Sequence, residues 1–186
     1  MSDLDKTAAI DTLNRIMETE LAGVVRYTHY SLMIYGFNRI PIVSWLKGNA
    51  EESLAHAHRA GELATLLGGH PSLKIGPLLE TARHDIGDIL RESLEHERTA
   101  LSAYYELLRL AEGKSVLLEE YAREMIVNEE QHLDEVDKML RRLSLALLPW
   151  HSVRTARVAE VSATMISRED NFPDPRVTGS SAFRSG

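Results

Sequence analysis

The sequence predicts an all-α protein: an antiparallel four-helix bundle with a crossover between the second and third helices, plus a C-terminal extension. Three observations carry this. Apolar residues recur at helical spacing over four long segments. Glycine and proline mark the breaks between those segments. In each segment an acidic residue or a histidine interrupts the apolar stripe at a comparable depth, so four inner faces share one polar layer.

The first helix is expected over about residues 4 to 35, with Leu13, Ile16, Met17, Val24 and Tyr27 on its inner face and Glu20 in the middle of that stripe. Gly36, Phe37 and Asn38 form a short turn. Pro41 suits the first turn of the second helix, which runs to about Leu67 and carries Ile42, Trp45, His56, Leu63 and Leu67. Gly68, Gly69 and Pro71 stop it. The stretch from Gly69 to about Gly76 reads as a connection that carries the chain across the bundle. The third helix is expected from near Pro77 to about Glu112, facing inward with Ile86, Leu90, Glu97, Leu101, Tyr104 and Leu108. Gly113 breaks the chain. A fourth helix from about Ser115 to Leu143 then presents Leu118, Ala122, Met125, Glu129, His132, Val136 and Leu140. Each rod is some 30 residues, about 45 Å at 1.5 Å per residue.

The bundle is expected over 1–143, a short fifth helix after Pro149 within 144–166, and a disordered polar tail over 167–186. A chain of 186 residues that is 44% hydrophobic can bury a real core in one domain. Its net charge of −7 argues against nucleic acid as the main partner. With no cysteine, disulfides, zinc fingers and thiolate or iron–sulfur ligation are excluded. MSDLDKTAAI is not a signal peptide in pattern, and no apolar run approaches the roughly 20 residues of a membrane span, so a cytoplasmic location is expected.

Charged groups on a buried face are costly unless paired or bound to a metal. Glu20 is followed 36 residues later by His56, Glu97 is followed 35 residues later by His132, and Glu129 stands three residues before His132. A Glu and a His at i, i+3 share a helix face. Carboxylates and imidazoles converging from four helices describe a di-iron or di-manganese bundle. Oxygen and imidazole donors suit iron or manganese better than a soft metal. Tyr27 and Tyr104 each lie seven residues after a ligand-type Glu, two turns along the same face. They could orient a carboxylate or donate one electron, or be core tyrosines with satisfied hydroxyls. His58 and His96 point away from the ligand direction, and His29, His70, His84 and His151 have no partner at a telling spacing.

Over about residues 4 to 143 the chain resembles the bacterioferritin branch of the ferritin-like superfamily. The resemblance rests on ETELAGVVRYTHY, HAHRAGELATLLGGHPSL, ILRESLEHERTA and VNEEQHLDEV. It implies a subunit that oxidises Fe(II) at an intra-bundle di-iron centre with dioxygen or peroxide, within a homo-oligomer, usually a hollow 24-subunit cage storing ferric mineral. By that match Glu20, His56, Glu97, Glu129 and His132 take the family's ligand roles, and Tyr27 falls at the tyrosine beside the centre. Two departures matter. The family's bridging Glu, three residues before the second-helix His, falls at Ser53; Glu51 and Glu52 are displaced from it. Glu52 either substitutes as a metal ligand or matches a family carboxylate that faces the cage interior. The family's haem-ligating Met falls at Leu54, so haem bound in the usual way is not expected.

Two other readings stay open: a ferritin-like peroxide-detoxifying enzyme without mineral storage, and a degenerate bundle with a structural role. Ser53→Glu should raise iron oxidation if the centre is merely weakened.

Overall fold

The structure, a computed structural model, describes residues 3–78 and 81–146. It contains α1 (Lys6–Met33), α2 (Arg39–Leu66), α3 (Ile86–Ala111) and α4 (Val116–Ala146), with no strand among the described residues. This is the expected all-α four-helix bundle. Asp5 starts α1 by accepting the Ala8 N–H at 3.0 Å. Pro41 sits in the first turn of α2, where its missing N–H costs nothing. At the other end of α2, Gly68 takes φ +87°. There the Gly69 N–H reaches the Ala64 carbonyl and the Gly68 N–H the Thr65 carbonyl, both at 2.9 Å, a Schellman ending that a side chain at 68 would strain.

The third helix begins nine residues later than Pro77. Asp85 is its cap, accepting the Gly87 N–H at 2.8 Å, and Ala82 just upstream has φ +54°, which no α-helix contains. The preceding chain is instead held along α1. Asn14 donates to the His70 carbonyl at 3.1 Å and accepts the Ser72 N–H at 2.9 Å, and the Gly76 N–H donates to the Glu18 carbonyl at 2.8 Å. Further on, the rings of His84 and His29 lie 5.6 Å apart. The chain before α3 thus meets α1 first at the Asn14 level and later at the His29 level, about half the length of α1 further on. Hence α2 and α3 run in the same direction, opposite to α1, which only a long crossover permits.

The core is layered. One apolar cluster draws on all four helices, among them Leu13, Ile16, Ala60, Ala64, Leu107, Leu118 and Met125. A second gathers Tyr27, Tyr30, Ile34, Leu46, Ala50 and Ile89. Along each of α1, α2 and α3, Glu20, His56 and Glu97 fall between the stretches that feed the two clusters. The inner stripe of α2 is narrower than its large residues suggest. Ile42, Trp45, Leu63 and Leu67 are only half-buried, while Ala57, Ala60 and Ala64 are fully enclosed. Small side chains let α2 approach its neighbours closely.

No helix among the described residues is long and apolar enough to cross a membrane. The chain divides into Met1–Leu143 and Ser144–Gly186. Beyond the last turn of α4, the second unit lies outside the described residues, as do the fifth helix and tail expected there.

Candidate metal centre

Each helix contributes a buried ionisable side chain to the polar layer: Glu20, His56, Glu97 and Glu129 are 3%, 7%, 5% and 1% exposed. His132, one turn beyond Glu129 on α4, is half-buried. These five form two triads. Donor atoms of Glu20, His56 and Glu129 lie within 4.8 Å of one another, and so do those of Glu97, Glu129 and His132. Glu129 belongs to both. Its Oε1 lies 3.4 Å from His56 Nδ1 and its Oε2 3.9 Å from His132 Nδ1. Glu20 Oε1 closes the first triad at 3.6 Å from His56 Nδ1, and Glu97 Oε2 the second at 4.0 Å from His132 Nδ1.

The tyrosines cross between α1 and α3. Tyr27, on α1, donates its hydroxyl to Glu97, and Tyr104, on α3, donates to Glu20 at 2.7 Å. The hydroxyls therefore orient carboxylates on the opposite helix. Trp45 packs edge-on against Tyr27 with ring centres 6.3 Å apart.

The packed acids are electrostatically frustrated without a cation. Burial, then the neighbouring Glu129, holds the Glu97 carboxyl well above the usual range; burial likewise raises Glu20. For Glu129 burial acts in the same sense, but hydrogen bonds from His56 and Glu97 outweigh it and leave its carboxyl low. His56 is opposed by burial, yet Glu129 and Glu20 push its imidazolium up to about 10. A proton on His56 thus occupies part of the place that positive metal charge would fill.

Ser53 is buried, facing Gly23 on α1. An ideal Cβ on Gly23 would lie 2.8 Å from Ser53 Oγ and 2.7 Å from His96 Nε2. Gly23 therefore leaves the room in which both side chains sit. His96 stands outside both triads, yet it is buried, 6.0 Å edge-on from the Tyr27 ring. Burial, then Arg26, depresses its imidazole to about 4, so it is neutral. Its neighbourhood to the centre was not readable from its spacing: Gly23 and Tyr27 on a facing helix make that direction interior. Tyr121 was also missed; it packs edge-on against Tyr104 at 6.0 Å under the Arg59 guanidinium, 5.0 Å from its ring. Glu51 and His58 are exposed. Glu52 is half-buried and lies outside the triads, its oxygens toward the other edges of both imidazoles.

A ferritin-like domain model matches residues 10–146, about three quarters of the chain. The chain belongs to the ferritin-like family. Solved structures agree on the fold. A ferritin-like diiron-carboxylate protein of Bacillus anthracis superposes with a TM-score of 0.70 at 22% identity, covering 75% of this chain and 99% of that one. A dodecameric thioferritin, the bacterioferritin-related protein of Bacteroides fragilis, gives 0.70 at 22%, covering 79% and 94%. The bacterioferritin of Rhodobacter capsulatus, with a metal-free dinuclear site and haem iron, gives 0.69 at 21%, covering 77% and 89%. No curated protein matches the sequence. At these identities the neighbours of this ferritin-like protein speak for its architecture.

Proposed function

We propose that this ferritin-like protein oxidises Fe(II) to Fe(III) at a two-metal centre inside the bundle, for iron storage or detoxification. The observation that carries the reading is Glu129, whose two oxygens each face a different Glu/His triad. One carboxylate between two sets of donors is what two cations a few ångströms apart require. The donor set of carboxylate oxygens and neutral imidazole nitrogens fits iron or manganese, and the buried acids gain what they lack once positive charge enters.

Glu20 and His56 would hold one metal, Glu97 and His132 the other, with Glu129 between them. When bound, the metal pair would supply two electrons, one from each metal, to dioxygen or peroxide, which is reduced as the metals are oxidised. The chain's own part is positional. Tyr104 and Tyr27 fix the carboxylates of Glu20 and Glu97, while the two apolar clusters wall the layer from above and below. Tyr27, beside the second triad, is also placed to donate one electron. A homo-oligomer is the expected working state, in keeping with the dodecamer named for the Bacteroides fragilis relative.

Aerobic addition of Fe(II) to the metal-free protein tests this. Ferric absorbance should rise faster than in buffer alone, and Glu129→Ala or His132→Ala should return the rate to that of buffer. A wild-type rate equal to buffer overturns the proposal. Turnover of peroxide by a small particle that retains no ferric mineral would favour a detoxifying enzyme without storage.

A further inference from the structure

Both histidines of the centre show one ring edge to the buried carboxylates and the other to a single side chain, Glu52. Glu52 Oε2 lies 3.2 Å from His132 Nε2, and Glu52 Oε1 lies 3.8 Å from His56 Nε2. One carboxylate thus addresses both rings, one oxygen to each. Within α2 the reach to His56 follows from the four-residue spacing; the reach to His132 crosses to α4. The Glu52 side chain is 41% exposed, against 8% for His56 and 19% for His132, so it stands at the solvent end of the centre.

Resting on the two-metal reading above, we propose that Glu52 is a positioning residue that accepts Nε2–H from His132, and from His56 once their 3.8 Å contact closes to hydrogen-bond distance in the loaded centre, and so holds both Nδ1 atoms toward the metal pair. A neutral imidazole has one donor and one acceptor nitrogen. If Nδ1 gives its lone pair to a metal, Nε2 carries the proton and wants an acceptor. A carboxylate there fixes the ring and makes Nδ1 more basic. The usual arrangement gives each histidine its own outer partner; here one side chain serves two rings on two helices. Charge points the same way. Glu20, Glu97 and Glu129 bring three negative charges to the triads. Two divalent cations bring four positive ones, and Glu52 at the ring edges supplies the remaining negative charge. Ser53, one position along, is turned toward Gly23 and His96 and supplies none.

Full-length wild type, Glu52→Gln and Glu52→Ala should be compared with Zn(II) as a diamagnetic probe, by long-range 1H–15N correlation spectra and by metal uptake at equilibrium. In wild type both rings should show Nε2 protonated and Nδ1 on zinc, with two zinc ions per chain. Glutamine keeps one acceptor oxygen, so Glu52→Gln should keep one ring ordered and release the other. Glu52→Ala should release both, with affinity about 10- to 100-fold weaker yet still two ions at saturation. Loss of one zinc ion in both variants overturns the proposal by making Glu52 a ligand. Unchanged ring signals and affinity in Glu52→Ala overturn it by making Glu52 a bystander. A wild type that takes up no zinc sinks the two-metal reading, and this inference with it. Glu52 is half-exposed, so neither variant removes a core contact.

Discussion

Tyr104 on α3 donates to Glu20 on α1 at 2.7 Å, and the bond is mirrored by Tyr27 on α1 donating to Glu97 on α3. Each triad therefore has one phenol tied to its outermost carboxylate, arriving from the other helix of the pair. This near two-fold relation makes the two halves separable by mutation. Tyr104→Phe leaves Glu20 with one fewer donor in a buried site, which raises its carboxyl further and weakens its hold on a cation. A lost hydrogen bond to a charged group is worth about 1.5–3 kcal/mol, or roughly 10-fold and upward in affinity. Titration calorimetry with Mn(II) should show one binding step weakened by Tyr104→Phe and the other by Tyr27→Phe, with the second step near wild type in each case.

The metal-free protein should lose stability as pH rises from 6.5 to about 10. The His56 imidazolium is raised to about 10 in the folded state by Glu129 and Glu20, against burial. A group whose folded pKa is raised stabilises fully below its unfolded value, and that contribution fades as pH climbs through the folded value. Melting temperature of the metal-free protein should fall by on the order of 5 °C across that window. His56→Gln should flatten the slope.

Metal uptake should release protons, because the His56 imidazolium, raised to about 10 by Glu129 and Glu20 against burial, carries one at neutral pH in the metal-free state. Affinity should therefore strengthen as pH rises toward 9. Calorimetry of Mn(II) binding in two buffers of different ionisation enthalpy at pH 7 should report at least one proton released per centre. Identical heats in the two buffers would contradict the assignment.

Ser53→Glu, which sequence comparison suggests as a repair, should fail as a single change. Ser53 is buried over Gly23 beside His96, so a longer, charged side chain enters an interior position. Overpacking should cost about 1–3 kcal/mol, read as a lower melting temperature, with no gain in iron oxidation. Pairing it with His96→Ala should recover the stability. Gly23→Ala should show the same loss, since its methyl would meet both His96 and Ser53.

The sequence by itself determined the four rods and the depth of their polar residues. Helical period is local, so Glu20, Glu97 and the Glu129/His132 pair could be placed on inner faces from spacing alone. The tertiary structure decided what spacing cannot reach. The start of α3 depends on Asn14 and Glu18 holding residues 70–76 from across the bundle, so Pro77 was a misleading start signal. His96 is interior because Gly23 leaves it room and Tyr27 packs on it, and Glu52 meets two imidazoles only because α2 and α4 bring them together. Periodicity fixes the direction of a side chain around its own helix; what it meets there is set by the residues of neighbouring helices, far away along the chain.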